Sequence, residues 1–272
     1  MRGEFLIVIL GLSLTCGLGV APSAATGVQA VTQEKAAAVS IIKSRAQKYT
    51  ATLAQGRLFS AYLNASTMSE GARLRARIGN SFKALESHYG MRDFTVVDRS
   101  GELFVHVGTA LTSSGKRNVK KDPVLSAGFA QQERAVAIVV DEGHVSYASP
   151  VMRRGEKEFV LCIEQELSAY DKVLAYGLAK TFYVVVVDKH GKILSDSRAH
   201  PSGSKPSTIE GLTLDEMRNQ LGGSLAEGTG RIVTNGTQSN MSYQTVGDWT
   251  VVAVESLPAP QECLRTGDDK CR

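Results

Sequence analysis

The sequence predicts an α+β protein in which a long N-terminal helix precedes two tandem antiparallel-sheet modules. Three observations carry this. Val96-Val97-Asp98-Arg99-Ser100-Gly101-Glu102-Leu103 returns ninety residues later as Val186-Val187-Asp188-Lys189-His190-Gly191-Lys192-Ile193. Each copy is followed, some sixty residues on, by a similar apolar strand: Phe159-Val160-Leu161-Cys162-Ile163-Glu164 and Trp249-Thr250-Val251-Val252-Ala253-Val254-Glu255. Two matched features in the same order indicate duplicated modules. The third observation is a shift of apolar spacing, from three-to-four before residue 90 to two after it.

The helical part comes first. From Gln33 to Leu63 there is no proline, and Val39, Ile42, Ala46, Tyr49, Leu53, Leu58 and Tyr62 recur at helical spacing, weakened only at Gly56. After a break near 64–69 a second helix is expected to run to Tyr89, with Leu74, Ile78, Phe82 and Leu85 on its buried face and Gly90 as its C-cap. Period two then predicts strands at 94–98, 102–107, 135–140, 144–151 and 158–166, with a short helix at 122–132 opened by Asp122-Pro123 and a hairpin turn at Asp141-Glu142-Gly143.

The second module repeats the plan. A short helix at 168–178 leads to strands at 181–187 and 192–196, and a Ser/Pro/Gly loop covers 199–208. A helix at 213–221 opens with a capping box, Thr213 with Glu216, and strands at 230–234, 240–246 and 249–255 follow. The chain therefore divides into an N-terminal segment (1–30), a helical segment (31–89), a first module (90–168), a second module (169–257) and a polar tail (258–272). In each Val-Val-Asp-x-x-Gly hairpin the Asp side chain reaches the backbone two residues on and the Gly tolerates positive φ, so Asp98 and Asp188 are read as turn-holders.

Composition narrows the class. The chain has 272 residues, 43% of them hydrophobic, and a net charge of +4 with no run of five basic residues. A nucleic-acid protein is excluded on that pattern. Residues 5–21 are almost wholly apolar, preceded by Arg2 and followed by small residues, as in a secretory signal with cleavage sites after Ala25 or Ala30. About seventeen apolar residues also approach a membrane anchor. Cys16 does not complete a lipidation signal, because Ser13 stands where Leu is usual. A periplasmic or other extracytoplasmic location follows, with the inner membrane as a place of attachment. Cys263 and Cys271, in the polar tail of an exported chain, are read as a local disulfide, with a metal site as the rival. Cys162 reads as a small buried side chain.

The residues also resemble a known family. A long helix just after a membrane segment, Val-Val-Asp-Arg-Ser-Gly, Lys120-Lys121-Asp122-Pro123-Val124-Leu125 before a short helix, Val145-Ser146-Tyr147-Ala148-Ser149-Pro150-Val151, and Gly247-Asp248-Trp249-Thr250-Val251-Val252 at the end are together similar to the double Cache sensor domains. These are tandem PAS-like modules of chemoreceptors and sensor histidine kinases, and the likeness covers about residues 33–257. It implies sensing of a small molecule outside the cytoplasm, with the ligand in the first, membrane-distal module. Lys121, Asp122, Tyr147 and Glu164 match that pocket, Glu164 falling where amino-acid sensors place an acid for the ligand's ammonium. Such groups could supply both signs of charge within apolar walls. Asp188, Arg231 and Tyr243 are weaker candidates in the second module. Two departures matter: the amino-acid sensors' Arg-x-Trp-Tyr signature is replaced here by 122–125, and the chain ends at Arg272 without a cytoplasmic output domain.

The expected function is an exported sensor-type domain that binds a small molecule and signals through a separate partner. That partner would be a membrane receptor, a sensor kinase, or a second copy paired through the N-terminal helix. The rival is an envelope interaction protein whose Cache-like fold holds no ligand. No catalytic residue, metal site or cofactor is expected. Ser40-Ile41-Ile42-Lys43 and Ser202-Gly203-Ser204-Lys205 match Ser-x-x-Lys without the Lys-Thr-Gly that should follow. The five histidines have no ligand spacing.

Overall fold

The computed structural model describes residues 24–85, 91–108, 120–130, 136–139, 143–198, 206–234 and 236–257. Expectations for the apolar segment 5–21, Gly90, the turn residues 141–142, the loop 199–205 and the Cys263–Cys271 pair lie outside these residues. Helix α1 (Ala24–Ala54) breaks at Gly56, then α2 (Arg57–Leu63) and α3 (Met68–Leu85) follow. A Cβ at Gly56 would lie 2.9 Å from the Leu53 carbonyl oxygen, so only glycine admits this corner. Leu74, Ile78 and Phe82 form the buried face of α3, as their spacing predicts.

The first module contains β1 (Met91–Asp98), β2 (Leu103–Val107), α4 (Pro123–Ala130), β3 (Val136–Val139), β4 (His144–Arg153) and β5 (Glu156–Glu166). After α5 (Ser168–Ala175), the second contains β6 (Phe182–Asp188), β7 (Ile193–Asp196), α6 (Leu214–Leu221), β8 (Glu227–Thr234), β9 (Thr237–Val246) and β10 (Trp249–Ser256). The sheet orders are β2-β1-β5-β4-β3 and β7-β6-β10-β9-β8, all antiparallel.

The duplication extends to detail. A bulge falls between Val96 and Val97 in one first hairpin and between Val186 and Val187 in the other. Asp98 accepts from the Ser100 and Glu102 amides at 2.8 Å, and Asp188 accepts from His190 at 2.8 Å and Lys192 at 2.9 Å. Gly101 and Gly191 take φ of 85° and 83°. Both aspartates hold their turns. The capping box of α6 is formed as expected, the Glu216 amide donating to Thr213 Oγ1 and the Thr213 amide to Glu216.

Both sheets bury two faces. One face of each lies on α1: Val145, Tyr147, Leu161 and Ile163 in the first module, Val184, Val186, Val251 and Ala253 in the second. The opposite faces are covered by α4 and by α6, over separate apolar clusters. Gly128 lets α4 approach closely, since a Cβ there would fall 2.6 Å from Val160. Two lysines pin α1 to the second half. Lys35 Nζ donates to the Tyr176 carbonyl at 2.5 Å, just past the C-terminus of α5, where a cation is favoured. Lys43 pairs with Asp248 and lies 4.3 Å above the Trp249 ring. The Ser40–Lys43 motif is thereby accounted for without chemistry. No helix among the described residues is long and apolar enough to cross a membrane.

The helix begins before the boundary expected at residue 30. It runs through Ala30, with Val28 completely buried and Thr32 Oγ1 bonded to the Val28 carbonyl at 2.9 Å. Burying a valine contributes about 1.5–3 kcal/mol. A chain starting at residue 26 should therefore melt several degrees above one starting at residue 31. Equal melting temperatures would show that Val28 contributes nothing to the folded state.

Candidate functional site

Strand alternation decides which residues can share a pocket. Tyr147 stands opposite Ile163 and Ser146 opposite Glu164, so Tyr147 and Glu164 project from opposite faces of the first sheet. Glu164 is on the α4 face. There it joins Asp93, Thr95, His106, Ser146 and Cys162, brought level by the pairs Asp93–Glu164, Thr95–Cys162 and Thr95–His106. Asp93, Thr95 and Ser146 are buried and Glu164 is half-buried.

Two charged groupings border this stripe. His106 Nε2 lies 3.6 Å from Asp93 Oδ1. A Cβ at Gly108 would fall 1.8 Å from the same oxygen, and Gly108 takes φ of 136°, so the backbone closes on Asp93 in a way only glycine permits. At the sheet end Arg92 lies 3.0 Å from Glu166 and 3.3 Å from His144 Nε2. The opposite half of the face is apolar, with Val97, Ala148, Val160 and Cys162 packed beneath Val124 and Leu125 of α4. A sheet face with buried hydroxyls, the buried Asp93 carboxylate and half-buried histidines at one end and an apolar wall at the other suits a small polar molecule. No group of three or more His, Cys, Asp or Glu side chains among the described residues is arranged to hold a metal ion.

The remaining sequence candidates fall elsewhere. Asp122 is the N-cap of α4, its Oδ1 accepting from the Val124 amide at 3.0 Å and the Leu125 amide at 3.1 Å, and Lys121 is exposed beside it. Tyr147 is completely buried against α1 and α5. Its hydroxyl donates to Gln165 Oε1 at 3.1 Å and lies 2.8 Å from the Tyr170 hydroxyl, which donates to the same Gln165 oxygen. The expectation that Tyr147 lines a pocket with Glu164 is therefore corrected, because one step of the pleat separates them. In the second module Tyr243 is buried with its hydroxyl on the Ser224 carbonyl, and Arg231 lies across from Asn240 at 3.4 Å on the other face of that sheet. They share no site.

Asp93, Thr95, His106, His144 and Ser146 are candidates that sequence reasoning missed. Their signal was alternation: Asp93-Phe94-Thr95, His144-Val145-Ser146 and Glu164-Gln165-Glu166 each put polar groups on one face. That pattern becomes legible as a site only when the strand order is known.

No family model and no curated protein sequence matches the chain. Solved structures do. The ligand-binding domain of the Campylobacter jejuni chemoreceptor Tlp3, in complex with L-norvaline, superposes with a TM-score of 0.66 at 12% identity, covering 90% of this chain and 93% of that one. The chain has the double Cache fold. The sensor domain of the Vibrio cholerae histidine kinase DctB matches this chain with a TM-score of 0.60 at 13% identity over 86% and 97% of the two chains. The ligand-binding domain of the Pseudomonas fluorescens chemoreceptor CtaA, in complex with L-alanine, gives 0.60 at 14% over 87% and 99%.

Burial raises the pKa of both phenols between the modules of this Cache fold: Tyr147 well above its ordinary value, and Tyr170 up to about 12. Because the folded values exceed those of the unfolded chain, the stabilisation is full below pH 10 and is lost as pH rises toward 12. Unfolding monitored by circular dichroism should show stability falling across that window. The double substitution Tyr147→Phe, Tyr170→Phe should flatten the fall and lower stability at pH 7 by about 1–3 kcal/mol, since Gln165 Oε1 loses its two donors. An unchanged alkaline slope would contradict this.

Proposed function

We propose that this chain is an exported double Cache sensor domain that holds a small polar ligand on the α4 face of its first module and signals through a separate partner. The observation that supports this most strongly is the stripe of buried Thr95 and Ser146 with half-buried Glu164, flanked by Asp93 and His106. The half-buried Glu164 carboxylate, set among buried hydroxyls, presents a negative group that the cationic end of a small ligand could meet. Glu164 is assigned to ligand contact and Lys121 to the rim. Asp122 acts by fixing the pose of α4, and Tyr147 acts from the opposite face as part of the transmission path. Amino acids are the first class to test, since two of the structural neighbours hold them. The absence of the Arg-x-Trp-Tyr signature at 122–125 widens the search to other polar metabolites.

Transmission has a physical route. Neighbouring β5 residues point to opposite faces, so a ligand that moves Glu164 also moves Gln165. Gln165 holds Tyr147 and Tyr170, and Tyr170 meets the Trp249 ring edge-on at 5.4 Å, beneath Lys43 of α1. Ligand binding would shift the population between two packings of this junction. A membrane receptor or sensor kinase would read that change, or a second copy paired along α1, where Ile41 is 49% exposed. The extracytoplasmic location rests on the apolar segment 5–21.

The rival reading, an interaction protein without ligand, is favoured by one observation: Arg92, His144 and Glu166 pair among themselves, as do Asp93 and His106. Thermal-shift screening of the chain against amino acids, amines and organic acids separates the two. At a hundredfold excess over Kd, a ligand should raise the melting temperature by about 5 °C or more, and Glu164→Gln should abolish the rise. No shift with any compound, together with capture of a membrane receptor that Glu164→Gln leaves unchanged, would establish the rival.

A further inference from the structure

The second module carries a charged cluster that this reading does not use. Arg198 lies over the Tyr183 ring, its guanidinium carbon 3.7 Å from the centroid. It binds Asp196 in a fork, Nε to Oδ1 at 3.1 Å and Nη2 to Oδ2 at 2.7 Å, and the Asp196 side chain is completely buried. The Tyr183 hydroxyl donates to Glu210. Burial and that carboxylate push the phenol far above its ordinary pKa, so it stays a donor across the physiological range.

Glu210 sits in an unusual backbone. It takes φ of 51° and Gly211 takes 80°, within a tight turn closed by the Ile209–Leu212 bridge. Glycine or asparagine suits such a position, and an ordinary L residue there costs about 1–2 kcal/mol. Strain of this sort gathers at ligand clamps and switch regions. The turn holds the carboxylate on Tyr183 and at the edge of an open cleft of about 410 Å³, which Arg198, Thr208, Thr234 and Thr237 also line.

The duplication gives the cleft a second argument. By strand register Tyr183 occupies the place of Asp93, and Asp196 that of His106. Both modules thus carry their charged group at the same corner of the sheet. Among the described residues the cluster sets one cation against two carboxylates: Arg198 forks Asp196 and also feels the Glu210 charge, which leaves a net negative charge.

We propose that this cleft is a second binding site, for a small organic ammonium compound. Its amine is held by Glu210 and the threonine hydroxyls, and a polar group at its other end meets the Nη1 edge of Arg198, which the Asp196 fork does not use. Titration calorimetry on the full chain tests this, with ethanolamine as the probe and acetate as its anionic counterpart. Ethanolamine should bind saturably and acetate should not. In a Glu164→Gln background, where the first-module contact is already removed, Glu210→Gln should weaken ethanolamine at least tenfold and Thr237→Val measurably, with native circular dichroism in both. Absence of ethanolamine binding, or wild-type binding by both folded variants, overturns the proposal. Binding lost in Glu164→Gln instead overturns it too, and assigns the amine to the first module.

Discussion

Helix α1 supplies one apolar wall to both sheets, and the core residues on that wall form a single cluster that runs from one module into the other. At 31 residues and 1.5 Å per residue it is about 46 Å long, enough to back two sheets end to end. Its buried positions are small where the strands come close, Ala36, Ala46 and Ala54, and the lysines among them are tied off at Tyr176 and Asp248. A helix that is half the core of each module cannot shift against one without disturbing the other. That coupling comes chiefly from burial, because uncovering either wall would expose valines and leucines to water.

The same constraint divides labour within each strand. On β5, Ile163 and Gln165 face α1 while Cys162 and Glu164 face α4, so one strand carries both the candidate contact and the junction it would move. The junction is polar at its centre. Tyr147, Tyr170 and Gln165 satisfy one another in a buried setting, where an unmatched donor or acceptor would cost about 1–3 kcal/mol. Such a network has few alternative arrangements, which makes it a discrete element rather than a soft one.

Much of the fold was legible in the sequence because its signals are local. The two Asp-x-x-Gly turns, the Thr213–Glu216 capping box and the apolar spacing of α3 each depend on residues within a few positions of one another. The resemblance to the Cache family then gave an order to those pieces. What could not be read was the face each strand residue takes. Tyr147 and Glu164 look equivalent as isolated polar groups in apolar strands, and only the pairing of Tyr147 with Ile163 shows that they point apart. The start of α1 was missed for a different reason. The compositional edge of an apolar segment and the physical edge of a helix need not coincide, and Val28 belongs to the helix.

The two modules share a backbone plan and differ in what they place on it. Where the first has Ser146 and Glu164 on its α4 face, the second has Met241 and Val254 at the matching register, both completely buried under α6. Exchanging a hydroxyl and a carboxylate for a thioether and a branched alkyl turns a polar floor into a sealed one. At the corner of the second sheet, by contrast, polar groups persist: Tyr183 and Asp196 stand where the first module has Asp93 and His106, and Arg198 and Glu210 reach solvent there. A duplicated frame with one polar floor and one polar corner has room for two sites of different shape. Both sheets share α1 and the Tyr170–Trp249 contact, so continuous packing joins the two proposed sites.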